Sequence, residues 1–404
     1  METSKQPMHR IQLKPGKEES LKRFHPWVFS GAIARIEGKP EEGEIVEVRT
    51  AQDKFIAKGH YQIGSIAVRV LTFDPQEDIN ADFWRRRLAA AYALRRSIGL
   101  TERNDNNTYR LIHGEGDNLP GLVVDVYGRT AVMQAHSAGM HLERMTIART
   151  LAEVMKGCVD NVYYKSENTL PFKADLYPEN GFLIQNVEDE TTDIATEYGL
   201  KFHIDWWKGQ KTGFFIDQRE NRALLERYAQ GRRVLNMFCY TGGFSVYAMR
   251  GGAELVHSVD SSGKAIDLTD KNIALNFPGD GRHQSYAEDA FKYLDRMEKG
   301  TYDLIVLDPP AFAKHRDALR NALLGYRKLN HKAFEKIKPG GILFTFSCSQ
   351  AVNKEQFRTA VFTAAALSGR NVRILHQLTQ PADHPVNIYH PEGEYLKGLV
   401  LYVE

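Results

Sequence analysis

Residues 233–247 read RVLNMFCYTGGFSVY. An apolar run of strand length enters two adjacent glycines and continues into a helical pattern. That is how a parallel α/β sheet usually begins. Downstream the pattern repeats. AELVHSVD (253–260) is a strand and SGKAIDLTDKNIALN (262–276) a helix. YDLIVLD (302–308) is a strand, and the helix at 318–337 is stopped by KPGG. ILFTFSC (342–348), QFRTAVFTAAALSG (356–369) and YLKGLVLYV (395–403) read as strand, helix and closing strand. Alternation of this kind predicts an α/β fold, with a parallel sheet covered by helices on both faces.

Upstream the texture differs. Residues 27–36, 45–49, 55–61 and 66–73 are short β-like runs without a long helical pattern, as in a small β barrel. The polar stretch DPQEDINAD (74–82) leads into a helix at 81–99, with Trp84, Leu88 and Ala91 on one stripe and Gly99 at its end. A hairpin (110–128), a strand (130–134), a helix (143–156) and a strand (159–165) follow. The expected division is 1–75, a small β domain; 76–195, a mixed α+β domain; and 196–404, the α/β domain.

Composition narrows the class. Of 404 residues, 42% are hydrophobic and 26% charged, which excludes wholesale disorder. Fifty-three Lys+Arg against 51 Asp+Glu leave a formal charge of +2, so any nucleic-acid surface must be local. Two clusters qualify: Lys14, Lys17, Lys22, Arg23 and His25 beside Trp27, and Arg85, Arg86, Arg87, Arg95 and Arg96 on the helix. A solvated helix face is the competing reading of the second. Cys158, Cys239 and Cys348 are too few and too scattered for a disulfide framework or a structural zinc site, and no metal is expected. No apolar run has transmembrane length, and METSKQPMHR lacks a signal-peptide core. The expectation is a soluble cytoplasmic protein.

Ligands of such sheets bind beyond the carboxyl ends of the strands. The first end carries Tyr240, Thr241, Gly242, Gly243 and Phe244. It matches neither phosphate-loop nor full dinucleotide spacing, and a plain tight turn explains the glycines equally well. Asp260, in SVDSS, is placed for ribose hydroxyls; its rival role is capping a helix with Ser261 and Ser262. Asp289, in AEDAF, is placed for an adenine amino group, again against a cap. Together they imply a nucleoside ligand without a strong phosphate requirement, which S-adenosylmethionine satisfies. Asp308 opens DPPAF, where two prolines fix the chain; a strand-ending turn competes. Cys348, in SCS, ends the next strand. With strand order 3-2-1-4-5 it neighbours Asp308 at about 4.8 Å strand spacing, and a thiol there is a nucleophile candidate. Free cysteines are more often structural, which is the reading for Cys158 and Cys239. In GQKTGFFIDQRENR (209–222), Phe214 and Phe215 are placed to close over an adenine or methionine moiety, and Asp217, Gln218 and Arg219 to fix polar groups; a helix N-terminus is compatible with both.

HPWVFSGAI, EGDNLPGLVVDVYG, KTGFFIDQRENR, LNMFCYTGGFS, LDPPAFAK, FSCS and DHPVNIYHPEGEYLKGL occur in that order from near residue 8 to the end. This set resembles the RlmI-type class I methyltransferases of large-subunit ribosomal RNA. The resemblance implies an N-terminal PUA domain, a central α+β domain and a C-terminal Rossmann-like methyltransferase domain. It implies S-adenosylmethionine as cofactor, held by Phe214, Asp217, Gln218, Tyr240–Phe244, Asp260, Asp289 and Asp308. It also implies methylation of carbon 5 of a cytosine in 23S ribosomal RNA, with Cys348 as nucleophile and Asp308 beside it. Other RNA cytosine-carbon-5 methyltransferases carry a second cysteine directly after the Asp-Pro; here that position is Pro310, so the base that removes the carbon-5 proton is unassigned. Two rivals stay open: methylation of a base nitrogen such as guanine N7, since DPPAF also suits that chemistry, and a non-catalytic RNA-binding assembly factor. The expected partner is ribosomal RNA and not a membrane; a homodimer is left open.

Overall fold

The computed structural model describes residues 8–171, 176–187, 194–313 and 316–404. Residues 1–7, read above for a leader, and Lys314 of LDPPAFAK lie outside the described residues. The chain forms two compact units: residues 1–196 with 204–214 and 382–393, and residues 197–203 with 215–381 and 394–404.

The first unit holds a six-stranded and a five-stranded sheet. In the six-stranded sheet, Trp27–Phe29, Ile66–Thr72, Phe55–Tyr61, Ile45–Arg49, Arg10–Leu13 and Ile33–Glu37 lie side by side. Only Arg10–Leu13 and Ile45–Arg49 pair in parallel. Alternation sets the faces: Val46 and Val48 are sealed in the core while Ile45, Glu47 and Arg49 are partly exposed. The five-stranded sheet packs on the helix Ala81–Ser97, which Asn80 caps by accepting from the Phe83 N–H (3.1 Å). Trp84, Leu88 and Ala91 form the buried stripe.

In the arginine cluster on this helix, Arg95 departs from both readings, while Arg85, Arg86 and Arg96 lie on a solvated face. Arg95 is fully buried; its guanidinium clamps Asp117 and donates to the carbonyls of Arg110 and Asp383 (both 2.7 Å). Arg85 pairs with Asp82 and Glu153, Arg86 and Arg87 with Glu77, and Arg96 with Glu102. These carboxylates offset the positive face that phosphate tracking needs.

The second unit is built on a seven-stranded sheet. In chain order its strands are Arg233–Met237, Leu255–Asp260, His283–Ala287, Leu304–Leu307, Gly341–Ser347, Val372–Leu378 and Lys397–Val403. Their spatial order is third, second, first, fourth, fifth, seventh, sixth. The first five are parallel, as the strand–helix alternation predicts; the seventh inserts antiparallel between the fifth and the sixth. The sixth strand went unread because it is an edge strand with a largely exposed VRILHQL pattern. The switch point falls between the first and fourth strands, both buried apart from Arg233 at the start of the first. Among the described residues no helix is long and apolar enough to cross a membrane.

Candidate active site

The first strand ends in a turn of unusual backbone. Phe238, Tyr240 and Gly242 all have positive φ (57°, 47° and 76°), and Gly242 caps the helix Gly243–Arg250 in the left-handed region. A Cβ on Gly242 would stand 2.6 Å from Thr269 Cγ2, and one on Gly243 would stand 3.0 Å from Arg222 Cδ. The glycine pair therefore serves close packing by protein side chains. The turn is also tied down from outside. The Thr269 hydroxyl donates to the Tyr240 carbonyl (2.9 Å) and the Asn272 amide to that of Thr241 (2.8 Å). Phe244 is buried and its ring lies 5.7 Å from that of Phe346.

Asp260 ends the second strand half-buried. One carboxylate oxygen accepts from the Tyr240 N–H (3.0 Å) and the other from the Ser262 N–H (2.9 Å). It thus joins the glycine turn to the next helix, whose cap is Ser262 itself. Asp289 is exposed and caps Ala290–Arg296 by accepting from the Lys292 N–H (3.0 Å). The cap expected as its rival role is formed.

Before the first strand, a short 3-10 turn at Ile216–Gln218 leads into the helix Arg219–Tyr228. Asp217 is buried and accepts from the Tyr395 hydroxyl (2.8 Å); Gln218 is buried and accepts from the Asn221 amide (2.6 Å). The Phe215 ring meets that of Tyr240 edge-on at 5.1 Å. Phe214 is buried in the first unit, so the motif KTGFFIDQ crosses the unit boundary between its two phenylalanines. Arg222, beside Gly243, makes a buried bidentate pair with Glu197 (2.9 and 2.7 Å). Burial opposes its charge, but Glu197 prevails and raises its pKa.

The fourth and fifth strands are parallel neighbours, Leu307 opposite Thr345. Asp308 and Cys348 follow these ends and both are half-buried. The two serines of SCS are buried and bonded. Ser347 Oγ donates to the Tyr326 hydroxyl (2.9 Å), and Ser349 Oγ donates to the Ala313 carbonyl (2.5 Å), in the loop that Asp308 opens. Cys348 is the half-exposed member of a turn held on both sides. Burial, with the charges of Cys348 and Asp308 behind it, pushes the Tyr326 phenol up to about 12, so one hydroxyl feels both groups. Cys239, by contrast, is buried, and its thiol is pushed well up by that burial; Cys158 is half-buried beside the Tyr92 hydroxyl. Both suit packing roles.

Tyr326, Tyr395, Glu197 and Lys397 were missed in the sequence. Lys397 alone carried a signal there: a lone cation in the apolar strand YLKGLVLYV. In the first unit, ligand atoms of His25, His390 and Glu392 lie within 4.8 Å of one another. His25 Nδ1 accepts from the Trp27 N–H (3.3 Å), which leaves the ring proton on Nε2, facing Glu392 at 3.4 Å. A histidine–carboxylate hydrogen bond accounts for that pair without an ion.

The donor set at the switch point suits an uncharged nucleoside. It offers a carboxylate, aromatic edges and a glycine turn, and the cation beside that turn, Arg222, is taken up by Glu197. The fold and this site define a class I S-adenosylmethionine-dependent methyltransferase. The chain matches the S-adenosylmethionine-dependent methyltransferase family over residues 130–388 and a PUA-like domain over residues 11–73. It is 41% identical over 394 residues to ribosomal RNA large subunit methyltransferase I of Aeromonas hydrophila, covering 97% of this chain and 98% of that protein. It is 42% identical over 402 residues to the protein of that name from Shewanella amazonensis, covering 98% and 99%. A solved Streptococcus mutans structure, described as a SAM-dependent methyltransferase, superposes with TM-score 0.82 at 21% identity, over 98% of this chain and all of that one. A methyltransferase complexed with SAH gives TM-score 0.83 at 21% identity with the same coverage. The chain belongs to the ribosomal RNA large subunit methyltransferase I family.

Proposed function

We propose that this enzyme methylates carbon 5 of a cytosine in large-subunit ribosomal RNA, with Cys348 as nucleophile. The observation that carries the reading is the SCS turn: two buried, bonded serines present a half-exposed cysteine beside the loop that Asp308 opens. Cytosine carbon 5 is a poor nucleophile, and covalent addition at carbon 6 solves this. The Cys348 thiolate adds to carbon 6, and Asp308 holds the ring-nitrogen or amino edge where charge develops. Carbon 5, now enamine-like, takes the methyl group. A base then removes the carbon-5 proton, the carbon 5–carbon 6 double bond re-forms and the thiolate leaves.

Bound S-adenosylmethionine supplies the electrophilic methyl of its sulfonium. Asp260 and the Tyr240–Phe244 turn would hold its nucleoside part, with Asp217, Gln218 and Asp289 around it. The target base must be unstacked to enter the cleft. The PUA and central domains hold the surrounding RNA through phosphate and shape. The three-part division 1–75, 76–195 and 196–404 and a cytoplasmic location belong to the same proposal.

RNA carrying 5-fluorocytidine should form a covalent adduct that disappears in Cys348→Ala. An adduct formed equally by the variant removes the nucleophile. If Cys348→Ala instead keeps most of its methyl transfer, a base nitrogen is the acceptor. Calorimetry that detects no S-adenosylmethionine binding would favour a non-catalytic scaffold.

A further inference from the structure

Lys397 opens the seventh strand and pairs in register with Ser347. It is only 6% exposed. A buried lysine is costly unless its charge is used. Its ammonium donates to the carbonyl of Ser349 (2.5 Å), the residue after Cys348, and to that of Tyr395 (2.7 Å). These carbonyls satisfy hydrogens but do not neutralise the charge. The neighbouring carboxylate, Glu394, is engaged by Lys354 at 2.7 Å.

We infer that Lys397 is a positioning residue for Cys348: its ammonium fixes the SCS turn through Ser349 and is the cation that favours the thiolate. The inference rests on Cys348 being the nucleophile. The charged groups around Lys397 are consistent with it. Burial lowers the lysine to about 8, Cys348 acts most strongly against that fall, Lys354 lowers it further and Glu394 raises it. From the fourth-strand side, the Tyr326 phenol feels both Cys348 and Asp308, and opposes a negative charge on the sulfur only when it is itself ionised. A thiolate formed between these groups needs a compensating cation. Once the sulfur is bonded to carbon 6 that need ends, and it returns when the thiolate departs.

The experiment follows the rate of Cys348 alkylation by iodoacetamide against pH in the full chain, resolved by peptide mass spectrometry. Lys397→Gln keeps an N–H donor for Ser349 but removes the charge; Lys397→Arg keeps the charge. The midpoint should rise by about one pH unit in Lys397→Gln and stay near the unmodified value in Lys397→Arg. Methyl transfer by Lys397→Gln should recover as pH rises. An unmoved midpoint in a folded Lys397→Gln overturns the inference. The unmodified protein provides a test immune to misfolding. Its ratio of iodoacetate to iodoacetamide rates at Cys348 should fall as pH passes about 8, where Lys397 loses its proton; a flat ratio also overturns the inference. An adduct with 5-fluorocytidine together with an unmoved midpoint sinks only the role of Lys397. A moved midpoint with adduct retained in Cys348→Ala sinks only the nucleophile.

Discussion

The hydroxyl of Ser349 donates to the carbonyl of Ala313 across 2.5 Å, tying the cysteine turn to the loop that follows Asp308. Both residues are buried. Ser349→Ala leaves that carbonyl without its donor, at a cost of about 1–3 kcal/mol. It also loosens the spacing of thiol and carboxylate, which should lower the methyl-transfer rate roughly 100-fold while leaving S-adenosylmethionine affinity nearly unchanged. Urea denaturation, single-turnover kinetics and calorimetry separate the three effects. A stability loss with an unchanged rate would show that this hydrogen bond does not align the site.

Gly242 combines a φ of 76° with a neighbouring methyl 2.6 Å from where its Cβ would be. Gly242→Ala should cost about 1–2 kcal/mol for the left-handed backbone alone, more for the clash, and should weaken cofactor binding. Adding Thr269→Ser removes the clashing Cγ2 but keeps the hydroxyl on the Tyr240 carbonyl. The double variant should regain the steric part and not the backbone part. Full recovery in thermal melts would exclude a backbone contribution.

Glu197 and Arg222 form a sealed ion pair, and the Tyr247 hydroxyl donates to the same carboxylate (2.9 Å). Arg222→Met leaves a buried carboxylate with one partner fewer, and should destabilise by about 3–5 kcal/mol. Replacing Glu197 and Arg222 together with apolar residues of matching volume should cost less than that. Denaturant midpoints of the single and double variants test the order; equal losses would contradict it.

His60 is buried against Trp84, and burial drives its pKa from 6.5 down to about 4. The unfolded chain therefore takes up a proton that the folded state refuses. Stability from this residue is complete above about pH 6.5 and is lost as pH falls toward 4, by on the order of 3 kcal/mol. His60→Phe should flatten that part of the stability–pH curve. An unchanged slope in the variant would assign the acid sensitivity to other groups.

The parallel sheet was legible because buried strands announce themselves as unbroken apolar runs, as LIVL before Asp308 does. The edge strand Val372–Leu378 hid because one side faces solvent and its apolar residues do not alternate. Arg95 was misjudged although its spacing held the answer. Positions 84, 88, 91 and 95 fall on one helical stripe, so the arginine shares the face of Trp84 and Leu88. The strand ends carrying Asp260, Asp308 and Cys348 were readable from topology. The bonds around the SCS turn and Asp217 were not, since Tyr326 and Lys397, which bond Ser347 and Ser349, and Tyr395, which bonds Asp217, are brought near only by the folded sheet.

Among the described residues the sixth strand pairs only with the seventh, which itself docks on the fifth. During synthesis, residues 372–378 therefore leave the ribosome with no edge to join until residues 397–403 have followed them. The strand translated last is the one that joins this corner to the rest of the sheet, and Lys397 arrives with it. The hydrogen bond from Lys397 to the Ser349 carbonyl can form only once residues 397–403 have joined the sheet.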